Sequence, residues 1–240
     1  MPASQHTIAG KVLTMPVKIR TANQHTAMFS VDADAAQQLI HYSGLEVCRY
    51  RSGRAVVVLL LTRFVDGDLG CYHEFSTCVM VNPPGSDMRG PRTLAQGAVF
   101  IQHMAVDQSF TLEAGQTIWG FPKVLADFTV RDCDHFGFDL SIDGRLVAGM
   151  EFRPGLPIPA ALASRKQMLR AYSHRDGVTL ETAYEMTQTG VHGRPGGVRL
   201  RLGDHPYAKE LASLGLPKRA LVSQSIANVE MSFGDAHAVR

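Results

Sequence analysis

The chain has 240 residues, 24 of them basic and 22 acidic, for a formal charge of +2, and 45% of its residues are hydrophobic. That length suffices to bury a core without disulfides or structural metals, and it suits a single domain over residues 1–240. With so balanced a charge nothing suggests a nucleic-acid or membrane surface, and no apolar run approaches membrane-spanning length.

Along the chain, residues 32–42 read as a helix, with an aspartate at the start, Ala35, Leu39 and Ile40 at helical spacing, and Gly44 just beyond. Residues 55–64 and 71–81 read as strands joined at Gly67-Asp68, and the apolar run from Val56 to Leu61 reads as a buried strand. Further strands are predicted over 99–104, 124–131 and 136–142. Asp143-Gly144 then marks a hairpin into 145–152. A second hairpin joins 167–174 to 178–187 through Asp176-Gly177, and an alternating run covers 198–202. Residues 205–214 form a second helix, with Asp204 as its cap and Gly215 and Pro217 as stop signals. Pro and Gly content makes 83–91 and 154–159 loops. Many strands with few helices predict a mainly β (α+β) fold, a closed or nearly closed sheet with helices attached.

Several familiar chemistries are missing. The four cysteines (Cys48, Cys71, Cys78, Cys133) show neither a C-x-x-C pair nor zinc spacing and read as small buried hydrophobes. No pair among the ten histidines has ligand spacing, and His73-Glu74 lacks the second histidine of a zinc-protease helix. The glycines of 193–197 fit a surface turn, and no G-x-S-x-G elbow occurs. No cofactor and no metal is expected. With no signal-peptide pattern and no N-x-S/T sequon, the expected location is cytoplasmic.

Only six lysines stand beside eighteen arginines, and Lys123 differs from the rest in its surroundings. Trp119, Phe121, Pro122, Val124 and Leu125 flank it, and Trp119 is the chain's only tryptophan. A lysine amine is a nucleophile only when neutral, and its unperturbed pKa of about 10.4 leaves little neutral amine near pH 7. Apolar surroundings or a neighbouring cation favour the neutral form. The competing reading is a surface lysine lying along aromatics.

The segment Gly115-x-x-Ile118-Trp119-Gly120-Phe121-Pro122-Lys123 resembles the signature of the acetoacetate decarboxylase family, in which the lysine after the proline forms an imine. Gly70-Cys71-Tyr72-His73-Glu74 resembles that family's glutamate-bearing segment. The stretch from Leu200 through Asp204-His205-Pro206 and Leu216-Pro217 to Phe233-Gly234 resembles its ending. The similarity runs from about Pro16 to Gly234. It implies a cone-like, closed, largely antiparallel β-barrel with a few peripheral helices, assembled as a homo-oligomer. It also implies Lys123 and Glu74 as catalytic residues, with Trp119, Phe121 and Met104 lining the cavity.

Three departures stand out. The lysine that follows the reactive one in acetoacetate decarboxylases is here Val124, so the neighbouring-cation explanation, which the family itself exemplifies, lapses and burial must activate Lys123. The family's substrate-facing arginine aligns near Ala22, and Arg20, two residues earlier on the same expected strand face, is the candidate replacement for holding a carboxylate. A second acidic pocket position falls at about Leu59. The expected function is therefore a Schiff-base lyase acting on a small carbonyl compound, with decarboxylation of a β-keto acid such as acetoacetate as its reaction. The alternatives are an aldolase, dehydratase or cyclase on a small oxo-acid or aldehyde using the same imine, or a non-catalytic small-molecule-binding protein.

Overall fold

The computed structural model describes residues 4–86, 89–132 and 135–239. Cys133 and residues 87–88 of the expected 83–91 loop lie outside them. In the N-terminal half come β1 (Gln5–Ile8), β2 (Lys11–Thr14), β3 (Val17–Asp32), α1 (Ala33–Ile40), β4 (Arg54–Gly67), β5 (Tyr72–Met80), β6 (Ala98–Val106), α2 (Ser109–Trp119) and β7 (Lys123–Leu125). Next follow β8 (Asp127–Asp132), β9 (Phe136–Ile142), β10 (Arg145–Phe152), β11 (Leu156–Pro157), α3 (Ala160–Ala163) and β12 (Gln167–Arg175). The chain ends with β13 (Val178–Pro195), β14 (Val198–Leu202), α4 (Pro206–Ser213) and β15 (Val222–Ala238).

Seven strands close a barrel in the order β13-β12-β6-β5-β4-β3-β15, with β15 pairing back onto β13. Closure leaves the barrel without free edges. The pairings are antiparallel except β12 on β6 and β7 on β6. A separate antiparallel sheet, β14-β10-β9-β8, packs against the barrel's outer face.

Two cores result. Val57, Leu59 and Leu61 of β4 point outward onto Phe138, Leu140 and Met150 of the second sheet. Val56 and Val58 point inward with Ile101, Met104 and Trp119. β4 is thus covered on both faces, which explains why residues 56–61 read as an unbroken apolar run and not as an alternating one.

The expected 32–42 helix is α1, followed by one 3-10 turn, and Asp32 caps it by accepting bonds from the Asp34 and Ala35 amides. The second expected helix is α4, but its cap is His205, whose ring Nδ1 accepts from the Tyr207 amide, while Asp204 pairs with Arg145. The single strand expected over 124–131 is two: the chain leaves the barrel at Ala126, so β7 belongs to one sheet and β8 to the other. Cys48 and Cys78 are buried as expected, whereas Cys71 is exposed, in the turn between β4 and β5. The longest strands, β3, β13 and β15, carry little or no strand periodicity in the sequence, because each places polar side chains inside the barrel. Gln24 and Thr26, Gln188, and Gln224 all face the interior and break the apolar alternation.

Candidate active site

Lys123 is carried into the barrel by a β6-α2-β7 crossover. Parallel strands need such a connection, and here a helix supplies it. Gln108 caps α2, its side-chain oxygen accepting from the Thr111 amide at 3.2 Å. The helix stops at Gly120, whose φ of 62° lies in the left-handed region and whose amide returns to the Gly115 carbonyl. A side chain there would also come within 2.7 Å of Leu180 Cδ1. Phe121 N–H donates to the Gly115 carbonyl at 3.0 Å, and Lys123 N–H donates to the Phe121 carbonyl at 2.8 Å. These bonds, with the rigid Pro122 between them, turn the chain so that Lys123 starts β7 opposite Met104.

The turn is anchored from both sides. Trp119 Nε1 donates to the Gly234 carbonyl on β15 at 2.8 Å, and Ser173 Oγ on β12 donates to the Trp119 carbonyl at 2.7 Å. Trp119 also stacks on Phe121, with ring centroids 5.7 Å apart. Gly115 has a different task. A Cβ at that position would lie 2.5 Å from both Cδ and Cε of Lys123, so the bare helix surface is the groove along which the lysine stem runs.

The Lys123 side chain is 2% exposed, and its Nζ donates to Glu74 Oε2 at 2.8 Å. A second bond goes to Thr111 Oγ1 at 3.0 Å, and the ammonium lies 5.3 Å from the centroid of the Tyr72 ring. Glu74 and Tyr72 share a face of β5, two residues apart, and Thr111 lies on the inner face of α2. Lys123, Glu74, Trp119, Phe121 and Met104 all border one cavity of about 310 Å³ inside the barrel. Burial, reinforced by the Glu74 charge, pushes the Cys78 thiol up to about 12 and raises the Tyr72 and Tyr184 phenols above their ordinary range.

Two sequence-based expectations fail here, and a third position is placed by the structure. Arg20 does not reach the cavity: its guanidinium lies outside the barrel, bonded to Asp66 at 2.8 Å and Asp68 at 2.7 Å. The cause is a double register shift of β3 against β4, between Ile19 and Thr21 and between Thr21 and Ala22, which breaks the two-residue alternation. Leu59 faces the outer core, while Leu60 and Thr62 line the cavity. Val124 is 44% exposed and points away from the amine, so a lysine at 124 would not stand beside Lys123 on this backbone. Thr111 and Tyr72 were missed. Tyr72 was legible, since a residue two before Glu74 on a strand shares its face. Thr111 was not, because nothing in the sequence marked α2 as a helix.

A closed barrel with a buried amine-carboxylate pair at the wall of an apolar cavity defines the class of architecture to which the chain belongs. The chain belongs to the acetoacetate decarboxylase family, whose profile, Acetoacetate decarboxylase (ADC), matches residues 1–238. No curated protein matches it. Among solved structures it is similar to the acetoacetate decarboxylase of Legionella pneumophila, with a TM-score of 0.69 and 19% identity over 100% of this chain and 92% of that one. It is also similar to the enduracididine biosynthesis enzyme MppR complexed with the condensation product of pyruvate and imidazole 4-carboxaldehyde, with a TM-score of 0.61 and 16% identity over 94% and 90% of the two chains. An acetoacetate decarboxylase-like enzyme from Sphingomonas wittichii RW1 gives 0.60 and 12% over 99% and 100%. At these identities the likenesses show the fold.

Proposed function

We propose that the protein is a Schiff-base-forming enzyme acting on a small carbonyl compound, with Lys123 as the nucleophile and Glu74 as its proton-transfer partner. The observation that carries this reading is the buried Lys123 Nζ held 2.8 Å from Glu74 Oε2 at the cavity wall. Family membership and the MppR complex, which holds a condensation product of pyruvate, support chemistry at a carbonyl carbon.

In the proposed sequence Glu74 accepts a proton from the Lys123 ammonium, and the freed amine attacks the carbonyl carbon. The carbinolamine oxygen leaves as water, taking one proton from the nitrogen side and one back from Glu74. The resulting iminium is an electron sink for a neighbouring bond. If that bond joins the α-carbon to hydrogen, Glu74 takes the proton and a neutral enamine forms. If it joins the α-carbon to a carboxylate, CO₂ leaves and the enamine is then protonated.

The outward position of Arg20 favours the first outcome, the entry into aldol or dehydration chemistry, over decarboxylation. Apart from Lys123, no cationic side chain among the described residues lines the cavity to receive a substrate carboxylate. α-Hydrogen exchange tests the reading. In D₂O the protein should exchange the α-hydrogens of acetone, and Lys123→Met should abolish the exchange; exchange that survives in Lys123→Met overturns the proposal. Acetoacetate incubated in parallel reports decarboxylation by CO₂ release.

A further inference from the structure

The interior of the barrel is more specific than a greasy hole. Lys123 and Glu74 are the only charged residues among the described ones that line the cavity, and they neutralise each other. Condensation with a neutral carbonyl keeps that balance: an ammonium and a ketone become an iminium and water, one positive charge before and after. A substrate carrying a carboxylate would leave one uncompensated negative charge beside groups that burial and the Glu74 charge already push toward their neutral forms, Cys78, Tyr72 and Tyr184, and burying such a charge is unfavourable.

The wall also carries neutral polar groups that the protein leaves unused. Ser76 is 2% exposed and Thr26 8% exposed, both face the cavity, and neither hydroxyl has a hydrogen-bond partner among the described residues. Gln224 faces the same space, and its amide likewise makes no side-chain bond. These three are not scattered. Ser76 is opposite Leu60, Leu60 opposite Thr26, and Thr26 opposite Gln224, so they form one row across four adjacent strands. The parallel row one step away is Glu74, Thr62 and Gln24, which holds the reacting end, with Gln24 already donating to Thr62 at 3.0 Å. Two residues along a strand separate the rows by roughly 6.6 Å.

Polar side chains that line a cavity and are not tied up in side-chain hydrogen bonds are suited to a bound polar atom. The spacing corresponds to about four or five bonds of an extended chain. Taking about 30 Å³ for each water-sized group, a cavity of about 310 Å³ holds on the order of ten heavy atoms.

Resting on the Schiff-base reading above, we propose that the substrate is a neutral, mostly aliphatic ketone or aldehyde of about that size. It bears an uncharged hydrogen-bonding group, such as an ester or ether oxygen, four or five bonds from the reacting carbonyl, received by the row of Ser76, Thr26 and Gln224. Its carbonyl carbon bonds to Lys123 Nζ with loss of water. The remaining chain lies against the aliphatic wall formed by residues such as Met28, Val58 and Ile101.

Trp119, the chain's only tryptophan, borders the cavity, so its fluorescence reports occupancy whether or not an imine forms. The probes are methyl 5-oxohexanoate, its free acid 5-oxohexanoate, 2-heptanone and acetoacetate, each titrated against the wild-type protein and then reduced with borohydride. The neutral ester should bind at least about tenfold more tightly than either acid. It should lose roughly fivefold or more in a Ser76→Ala/Thr26→Val variant, to which 2-heptanone binds unchanged. An acid binding as tightly as the ester, no fluorescence change with any neutral probe, or an ester affinity unmoved by the double substitution each overturn the proposal. Tight ester binding without a reduced adduct at Lys123 would uphold the ligand class and count against the Schiff-base reading instead.

Discussion

Gly115→Ala puts the geometry of the lysine groove under direct test. The added Cβ would sit 2.5 Å from Lys123 Cδ and Cε, whereas carbon atoms pack at about 3.5 Å or more, so the stem must retreat by about 1 Å. Overpacking of this kind costs about 1–3 kcal/mol, and the helix gains back about 1 kcal/mol from replacing glycine by alanine. Stability should therefore fall by no more than about 2 kcal/mol, leaving the protein folded. The amine is another matter, because its position relative to Glu74 Oε2 and Thr111 Oγ1 is set through that stem. A displacement of about 1 Å at a reacting atom can cost about a hundredfold in rate. The assay is the rate at which a borohydride-reducible adduct accumulates with a methyl ketone, beside a urea unfolding curve. A folded Gly115→Ala protein that forms the adduct at the wild-type rate would refute the groove.

The ion pair predicts a thermodynamic cycle: Glu74→Leu and Lys123→Met should each lose about 3–5 kcal/mol by stranding the other charge, and the double variant should recover most of the loss. Additive losses in urea unfolding would mean the two groups are not coupled. His25 stacks on Phe136 outside the barrel, and burial lowers its pKa from 6.5 to about 4 against a small opposing effect of Asp132. Between those values the unfolded chain binds more protons, so stability should fall as pH drops from 6.5 to 4, by up to about 3 kcal/mol. His25→Phe should flatten that part of the profile, and an unchanged slope would assign it elsewhere. Arg20→Ala and Val124→Lys, both outside the barrel, should leave adduct formation within roughly twofold of wild type and its pH profile unmoved. A large loss in either would place that side chain in the site after all.

The parts of this site that the sequence made legible are local ones. The tryptophan, glycine, proline and lysine of 119–123 stand together in the chain, and their constraints act over a few residues: a left-handed Gly120, a rigid Pro122, a glycine groove at Gly115. Glu74 was found because its segment resembles a known one. What could not be read depends on register between distant strands. Arg20 was placed inside by simple alternation, and two shifts in the pairing of β3 with β4 send it outside. The resemblance puts a pocket position at about Leu59, but the cavity-facing residue is Leu60, and on a strand one residue means the opposite face. The unread β15 and β3 carry the polar lining, and the polarity that suits them to a ligand is what hid their periodicity. Mainly β architecture was recoverable from turn signals, while closure through the β13-β15 pairing is a contact between strands with no adjacent signal in the chain.

Reductive trapping followed by peptide mapping tests the central claim most directly. The wild-type protein, incubated with 2-heptanone and borohydride and then digested, should carry the reduced adduct on the peptide containing Lys123, and Lys123→Arg should carry none. An adduct on any of the other five lysines, or no adduct with any carbonyl probe at concentrations that quench Trp119, would contradict the account.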